Sequence, residues 1–395
     1  MADYNSLRAR RLKAFNDATS MKENPEMIPH VSFFVTWKVH DYGCKLSEAL
    51  NDYDLMKDVV KTFQKRYGFD GFVEYGNRNQ YRVSELMGSS VYQVDDEAGS
   101  VYYLDSCVCE DGELSEYAKD PNKFVWEKVV PRKYPFWSEG VTAEFMNKLN
   151  EEFLGFITFN NAIKKEMSDE LGVPELWEFR GGMTTLGVEY IFQTLRGIKG
   201  MSIDMRRNKQ VLKDAIEAYE NLNLKPVHDI MKAAPKGHSK YAVFDSDLTM
   251  LAHTVMNPRQ FEEFYWPSLK SQLDIVEDHD WTIRIFTENF GNICWDYLNN
   301  YKSGTVCLHL EKDDVFDLRK ACPGVVIMGG INTELLYYGT EQECVDRAKY
   351  LCDTIGAKGG FMLTQDKLVS YRNDCKRENL LALTKYMNER NGMEV

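Results

Sequence analysis

Apolar and polar positions along this chain follow two rhythms. Short apolar runs read as strands: HVSFFVTW (30–37), FDGFVEYG (69–76), GFITFN (155–160), LWEFRGG (176–182), KYAVFDSD (240–247), WTIRIFTEN (281–289), GTVCLHLE (304–311), GVVIMGGI (324–331) and GGFMLTQD (359–366). Longer amphipathic stretches lie between most of them: 55–68, 208–222, 257–279 and 341–356. In the last, Cys344, Ala348, Leu351, Cys352 and Ile355 recur at helical spacing. Strand alternating with helix implies a parallel sheet. The runs offer nine candidates for the eight staves of a (β/α)8 TIM barrel, and 155–160 is the one that could instead be helical or loop. The expected architecture is α/β, with one barrel domain over residues 1–395 and an N-terminal helical arm over 1–28.

One segment breaks the alternation. In SVYQVDDEAGSVYYL (90–104) two β-rich runs flank an acidic, glycine-containing turn, which predicts a hairpin. An insertion over 87–140 is therefore expected over the barrel mouth, as a lid or as surface decoration. In FEEFYWPSLK (261–270) the spacing of Phe261, Phe264 and Tyr265 predicts a buried helix face, with a kink at Pro267. GGIN (329–332) reads as a tight turn at a strand end.

Composition narrows the function. The chain has 395 residues, 44% hydrophobic and 28% charged, which suits an ordinary globular core. A formal net charge of -13 argues against nucleic acid as a partner and against a polyanionic substrate. Residues 1–25 hold no secretory apolar region, and no apolar run reaches the roughly 20 residues of a membrane helix. A cytoplasmic protein is expected, with its nine cysteines as reduced thiols. Cys107 and Cys109 form a lone CxC, read as a strand with two small apolar residues on one face in preference to a metal motif.

From about residue 255 to 388 the chain resembles the uroporphyrinogen decarboxylase superfamily. The resemblance rests on NPRQFEEFYWPSLK (257–270), GGIN followed by LLYYGTEQE (335–343), and GGFMLTQDKL (359–368) with RENLLAL (377–383). KDVVKTFQKRYGFDG (57–71) and LWEFRGGMTTLGVEYIFQTLRG (176–197) agree more loosely. The superfamily contains porphyrinogen decarboxylases and corrinoid methyltransferases that often use zinc. The decarboxylases carry an early signature of the type Met-Arg-Gln-Ala-Gly-Arg. Here VSFFVTWKVHDYG (31–43) has no arginine, so decarboxylation of a polyanion is not implied. The hairpin and YAKDPNKFVWEKVVPR (117–132) are similar to the methyltransferases of anaerobic O-demethylase systems. That similarity implies a small aryl methyl ether as methyl donor and cob(I)alamin, held on a separate corrinoid protein, as acceptor. Methanol, methylamine or methylthiol donors, and a non-catalytic binding subunit, are the alternatives. A homodimer is a further expectation.

In the zinc methyltransferases of this superfamily the strand matching TIRIFTENFGN (282–292) carries His-x-Cys, and the last strand carries another Cys. On this chain those places fall near Glu288, Phe290 and Asp366, so the thiolates are missing. An oxygen and nitrogen set from Glu288, His309, Glu311 and Asp366 is the expected zinc site, since zinc accepts such ligands. Glu288, His309 and Asp366 are also the catalytic candidates. An aryl ether parts with its methyl group only if something receives the charge that grows on oxygen, a Lewis acid or a proton donor. Every stabilisation of about 1.4 kcal/mol there is tenfold in rate. Structural readings stand beside these roles. Glu288 could cap a helix or pair with a lysine, His309 could be a core histidine bonded to backbone, and Glu311 could act as a cap. Cys307, His309 and Glu311 share one strand face. Candidate substrate contacts follow the strands: Trp37, His40 and Tyr42 after the first, Glu74, Asn77, Arg78 and Tyr81 after the second, and Arg180 in LWEFRGG. Aromatic walls among them would suit a phenolic ring. Arg78 could instead pair with Glu74.

Overall fold

The computed structural model describes residues 4–76, 80–88, 92–103, 107–138, 140–178, 180 and 185–393. Its strands in chain order are β1 (Val31–Ser32), β2 (Gly71–Phe72), β3 (Tyr92–Asp95), β4 (Ser100–Tyr103), β5 (Glu175–Trp177), β6 (Ala242–Phe244), β7 (Ser246–Met250), β8 (Ile283–Thr287), β9 (Val306–Leu310), β10 (Val326–Ile331) and β11 (Phe361–Gln365). All but β3 and β4 belong to a parallel barrel. β1 pairs with β2 and β5 with β6, while β7 to β11 form one continuous sheet in sequence order. β6 and β7 are one stave interrupted at Asp245: β6 faces β5 at Glu175↔Ala242, and β7 faces β8 at Ser246↔Ile283. β2 lies against β5. The ring closes between β11 and β1 through parallel bridges at His30↔Leu363 and Phe34↔Val369, with Leu363 N–H donating to the Pro29 carbonyl at 2.8 Å. The barrel is the expected one, and eight of the nine predicted strands supply its staves.

The exception is 155–160, which lies within the helix Ala143–Leu171. Phe159, Ile163 and Met167 are buried at four-residue intervals, so the wider window carries a helical period that the short run conceals. The run 30–37 is also shorter as a strand than its apolar character suggests. Its ladder with β2 ends at Ser32, only an isolated bridge at Phe34 follows, and Trp37–Tyr42 is helical, closed by Gly43 at φ +99°.

The other helices follow their signals. Asp52 caps Tyr53–Tyr67 by accepting from the N–H groups of Asp54 and Leu55. Thr340 and Glu343 form a capping box on Glu341–Thr354, which buries Cys344, Ala348, Leu351 and Cys352. In the FEEFY segment, Phe261–Tyr265 is a single wide π turn leading into Trp266–Asp278, and Phe261, Phe264 and Tyr265 are all buried. The Tyr265 hydroxyl donates to Glu189 at 2.6 Å. That buried carboxylate also accepts from the N–H groups of Leu251 and Ala252, which fixes the chain where β7 ends.

The barrel floor is closed by the helix Tyr4–Thr19. Phe15 and Ala18 pack into the lumen with Val31, Leu176, Phe244, Met328 and Met362. Gly71 makes room for this plug: a Cβ there would stand 2.9 Å from Phe15 and 2.7 Å from Leu176. Arg11 meets Asp70 at 3.2 Å in the same buried zone.

The hairpin β3–β4 forms as expected but does not overhang the centre of the mouth. Arg372 N–H donates to Ala98 and Ser47 Oγ to Asp96, so the hairpin is docked on the rim beside β11 and the helix Leu46–Asn51. Cys107 and Cys109 lie outside any strand, Cys109 in the core and Cys107 exposed. All nine cysteines are free thiols. Among the described residues no helix is long and apolar enough to cross a membrane.

Candidate active site

Alternation along β8 sends Ile283 and Ile285 toward the surrounding helices and Arg284, Phe286 and Glu288 toward the lumen, where a cavity of about 520 Å³ opens. β7 contributes Asp247, Thr249 and Leu251 by the same rule. Phe33, Val73, Glu74 and Tyr75 enter from the exits of β1 and β2, Glu175 and Trp177 from β5, and Leu368 from beyond β11. One face of the helix Ala143–Leu171 forms the overhanging wall, through Phe156, Ile157, Asn160, Asn161 and Lys164. The cavity is thus at the carboxyl ends of the staves, where barrel enzymes build their sites. Its size lies within the about 300–1,000 Å³ usual for small-molecule pockets.

Arg284 is the charged centre of the lumen wall, and its side chain is only 3% exposed. Nη1 donates to Asp247 Oδ1 at 2.7 Å and Nη2 to His309 Nδ1 at 3.0 Å. The guanidinium carbon lies 5.7 Å from the ring centres of Phe33 and Trp177 and 5.9 Å from that of Phe286. A guanidinium can only donate, so His309 Nδ1 must be the bare nitrogen and Nε2 carries the proton, which it gives to the Gln365 carbonyl at 2.8 Å. Burial, with the Arg284 charge second, holds this imidazole well below its ordinary pKa. His309 is therefore neutral, with both ring nitrogens engaged.

The remaining predicted residues fall into separate groups. Glu288 and Glu74 line the cavity. Beside Glu74, the buried Lys38 ammonium donates to the Glu74 carbonyl, and burial pushes it down to about 7. Glu311 is turned away from the cavity and accepts the Asn289 N–H, which braces the loop after β8 where Asn289 takes φ +59°. Asp366 is pushed up to about 7 by burial, with the Glu311 charge adding to the rise and the N–H groups of Lys367 and Thr333 opposing it. Trp37 is a core residue, its Nε1 donating to the Cys375 carbonyl at 3.2 Å. His40 and Tyr42 follow it on the short helix and do not reach the cavity lining. Tyr81 borders a different space of about 70 Å³ under the hairpin and donates to Glu85 at 3.1 Å. Arg180 gives its Nη1 to the carbonyls of Pro235 and Gly237 and lies over Trp281, so it ties loops together outside the cavity. Asn77 and Arg78 lie outside the described residues.

The expected zinc ligands do not assemble. Among the described residues no three His, Cys, Asp or Glu side chains are grouped as a metal site. His309 has no nitrogen to offer, and a guanidinium stands where a cation would have to bind. Glu311 serves the backbone, and Phe290 stands 55% exposed at the position of the missing thiolate. The donor set does not fit zinc, because its nitrogen donor is already spent on a cation and a carbonyl.

Residues 179–365 match the family model described as uroporphyrinogen decarboxylase (URO-D). The matched span runs from the end of β5 through β11 and includes the π turn and GGIN. Among solved structures, a methyltransferase from Methanosarcina mazei shares the fold with a TM-score of 0.57 at 13% sequence identity. The alignment covers 96% of this chain and 98% of that chain. Comparison with curated proteins gives no match. Within the barrel, Arg284 and Asp247 are the residues that sequence reasoning passed over. Their signal was present: a charged residue at the second position of each of two neighbouring strands, SDLTM (246–250) and IRIFT (283–287), both on the inward face.

Proposed function

We propose that this chain is a methyltransferase that takes the methyl group of a small aryl methyl ether and delivers it to a reduced corrinoid on a separate protein. The observation that carries the reading is the aromatic-walled cavity at the carboxyl ends of a URO-D-type barrel, with Phe33, Trp177, Phe286, Tyr75 and Phe156 on its sides. Flat rings bury large apolar area against such walls and orient a planar ligand edge-to-face or offset. The first-strand segment lacks the arginines that a polycarboxylate would need. The corrinoid, when docked, supplies the nucleophile for the methyl carbon. The chain's own residues bind the arene, hold its oxygen against polar groups and keep water from the reacting face. Orientation of this kind is a large part of catalysis, because it removes the entropy of bringing partners together.

A second reading draws on Glu74 and Glu288, which place carboxylates beside the rings. Carboxylates with aromatic faces also suit a methylated ammonium donor. One experiment separates them. The purified chain is mixed with a reduced corrinoid protein and either methoxyarenes or methylammonium compounds, and methylation of the corrinoid is followed by its absorbance. Transfer from methoxyarenes alone supports the first reading, and transfer from methylammonium alone replaces it with the second. No transfer from either removes both.

A further inference from the structure

Arg284 is costly where it stands. A buried charged pair in a barrel lumen is commonly no more stable than apolar residues of the same volume. A guanidinium has five N–H donors. Here one meets Asp247 and one meets His309, and Nε is buried without a hydrogen-bond partner. The group is nevertheless rigid. It is anchored at two corners, enclosed by three rings, and carried on a strand in place of a loop. A fixed cation with unspent donors, on the wall of an aromatic cavity, is built to receive an oxygen atom of a planar ligand.

We propose that Arg284 is the oxygen-binding group of this cavity: it holds the ether oxygen of the methyl donor and receives the negative charge that grows there as the methyl group leaves. The proposal rests on the methyltransferase reading and adds the group that replaces a metal in it. The aryl C–O bond is kept. The bond between the methyl carbon and oxygen breaks, and its electron pair stays on oxygen as a phenolate. The methyl carbon takes an electron pair from the Co(I) of the reduced corrinoid, and the phenolate later takes a proton from water. Preorganised donors aimed at such an oxygen need no reorganisation as the charge appears. Asp247 and His309 are positioning residues: Asp247 fixes one corner of the fork, and the neutral His309 fixes the other without adding charge. Glu74, Glu288 and the Lys164–Glu175 pair at 3.4 Å also face the cavity, so the effect of Arg284 must be read as a difference between variants.

The test uses 4-nitrophenol, whose ionised form absorbs visibly, as a stand-in for the demethylated product. Its ionisation midpoint is measured in complex with the wild-type chain, Arg284→Lys and Arg284→Met. A neighbouring cation lowers an acid's midpoint by about 1–3 units. The wild-type midpoint is expected to lie lower than that of Arg284→Met by such an amount. Arg284→Lys, which keeps the charge and loses the fork, should fall between them and guards against a Met variant that does not fold. Equal midpoints in wild type and Arg284→Lys, together with an unchanged Arg284→Met where it folds, overturn the proposal. So does a wild-type chain that does not bind the phenol. An Arg284-dependent midpoint without methyl transfer from any methoxyarene supports the oxygen site and removes the methyltransferase reading. Methyl transfer with an Arg284-independent midpoint does the reverse.

Discussion

On the β7–β8 side of the barrel mouth, Arg284, Asp247 and Glu288 line a cavity of about 520 Å³. On the β9–β11 side, residues of the same types are turned onto the chain itself. Glu311 accepts the Asn289 N–H, Asp313 accepts the Gly291 N–H, and His309 spends its proton on the Gln365 carbonyl. Strand-end acids are therefore not equivalent by position. An acid whose oxygens meet loop N–H groups is part of the scaffold, because removing it leaves buried donors unmet. An acid that lines a cavity, as Glu288 does, faces the space a ligand would fill. The difference explains why an expected ring of four metal ligands becomes one cavity residue, one neutral core histidine, one loop brace and one buried acid.

Substitutions should separate the two sides. The largest effect is expected of Arg284→Met, which removes the fork and leaves Asp247 without its buried cation. Methyl transfer should fall by about 10²–10³-fold, the loss seen when one preorganised oxyanion donor is removed. Stability should fall as well, by about 3 kcal/mol, as for breaking a buried pair; steady-state rates and urea melts measure the two. A rate within threefold of wild type would erase the distinction drawn for the β8 side.

Next comes Glu311→Gln on the opposite side. It weakens a charge-assisted brace to the Asn289 N–H and should cost about 1–2 kcal/mol of stability. Phenol affinity should stay unchanged, whereas Glu288→Gln should alter affinity as its main effect. Reversed behaviour in this pair would exchange the roles of the two acids.

A smaller, pH-dependent effect belongs to Asp366. Its carboxyl is pushed up to about 7 by burial, above its value in an unfolded chain. The folded state then holds this proton more tightly than the unfolded state does. Stability from this group is complete below about pH 4 and is lost as pH rises through 7. Asp366→Asn should flatten that fall in a urea-midpoint profile between pH 5 and about pH 8. An identical slope in the variant would show that Asp366 does not carry it. The smallest effect is expected of a chelator: dialysis should leave methyl transfer by this chain unchanged, since its donor set does not fit zinc. Loss of activity that added zinc restores would return the β9–β11 side to the chemistry.

Much of the architecture was legible in the sequence. Eight of the nine apolar runs are staves, and the helices at 53–67, 258–278 and 341–354 lie where periodicity and capping residues put them. The local physics of alternation and capping acts within a few residues, so a single chain displays it. Where the reading failed, the deciding contact was distant. The run 155–160 is short enough to pass for a strand, yet the burial of Phe159, Ile163 and Met167 across one helix face makes it helical. Trp37 follows a strand like a site residue, but it anchors the core by bonding Cys375, far along the chain.

The sequence by itself determined that the chain alternates strand and helix, that a hairpin interrupts it, and that Glu288 ends a strand at the mouth of the barrel. Only the tertiary structure decided which polar groups face a cavity and which are consumed. Arg284 and Asp247 are 37 residues apart and meet because β7 and β8 are neighbouring staves in register. His309 loses its second nitrogen to a carbonyl 56 residues away. A side chain's chemistry depends on whether its donors and acceptors are already met, and those partners come from strands that the ring of the barrel brings together.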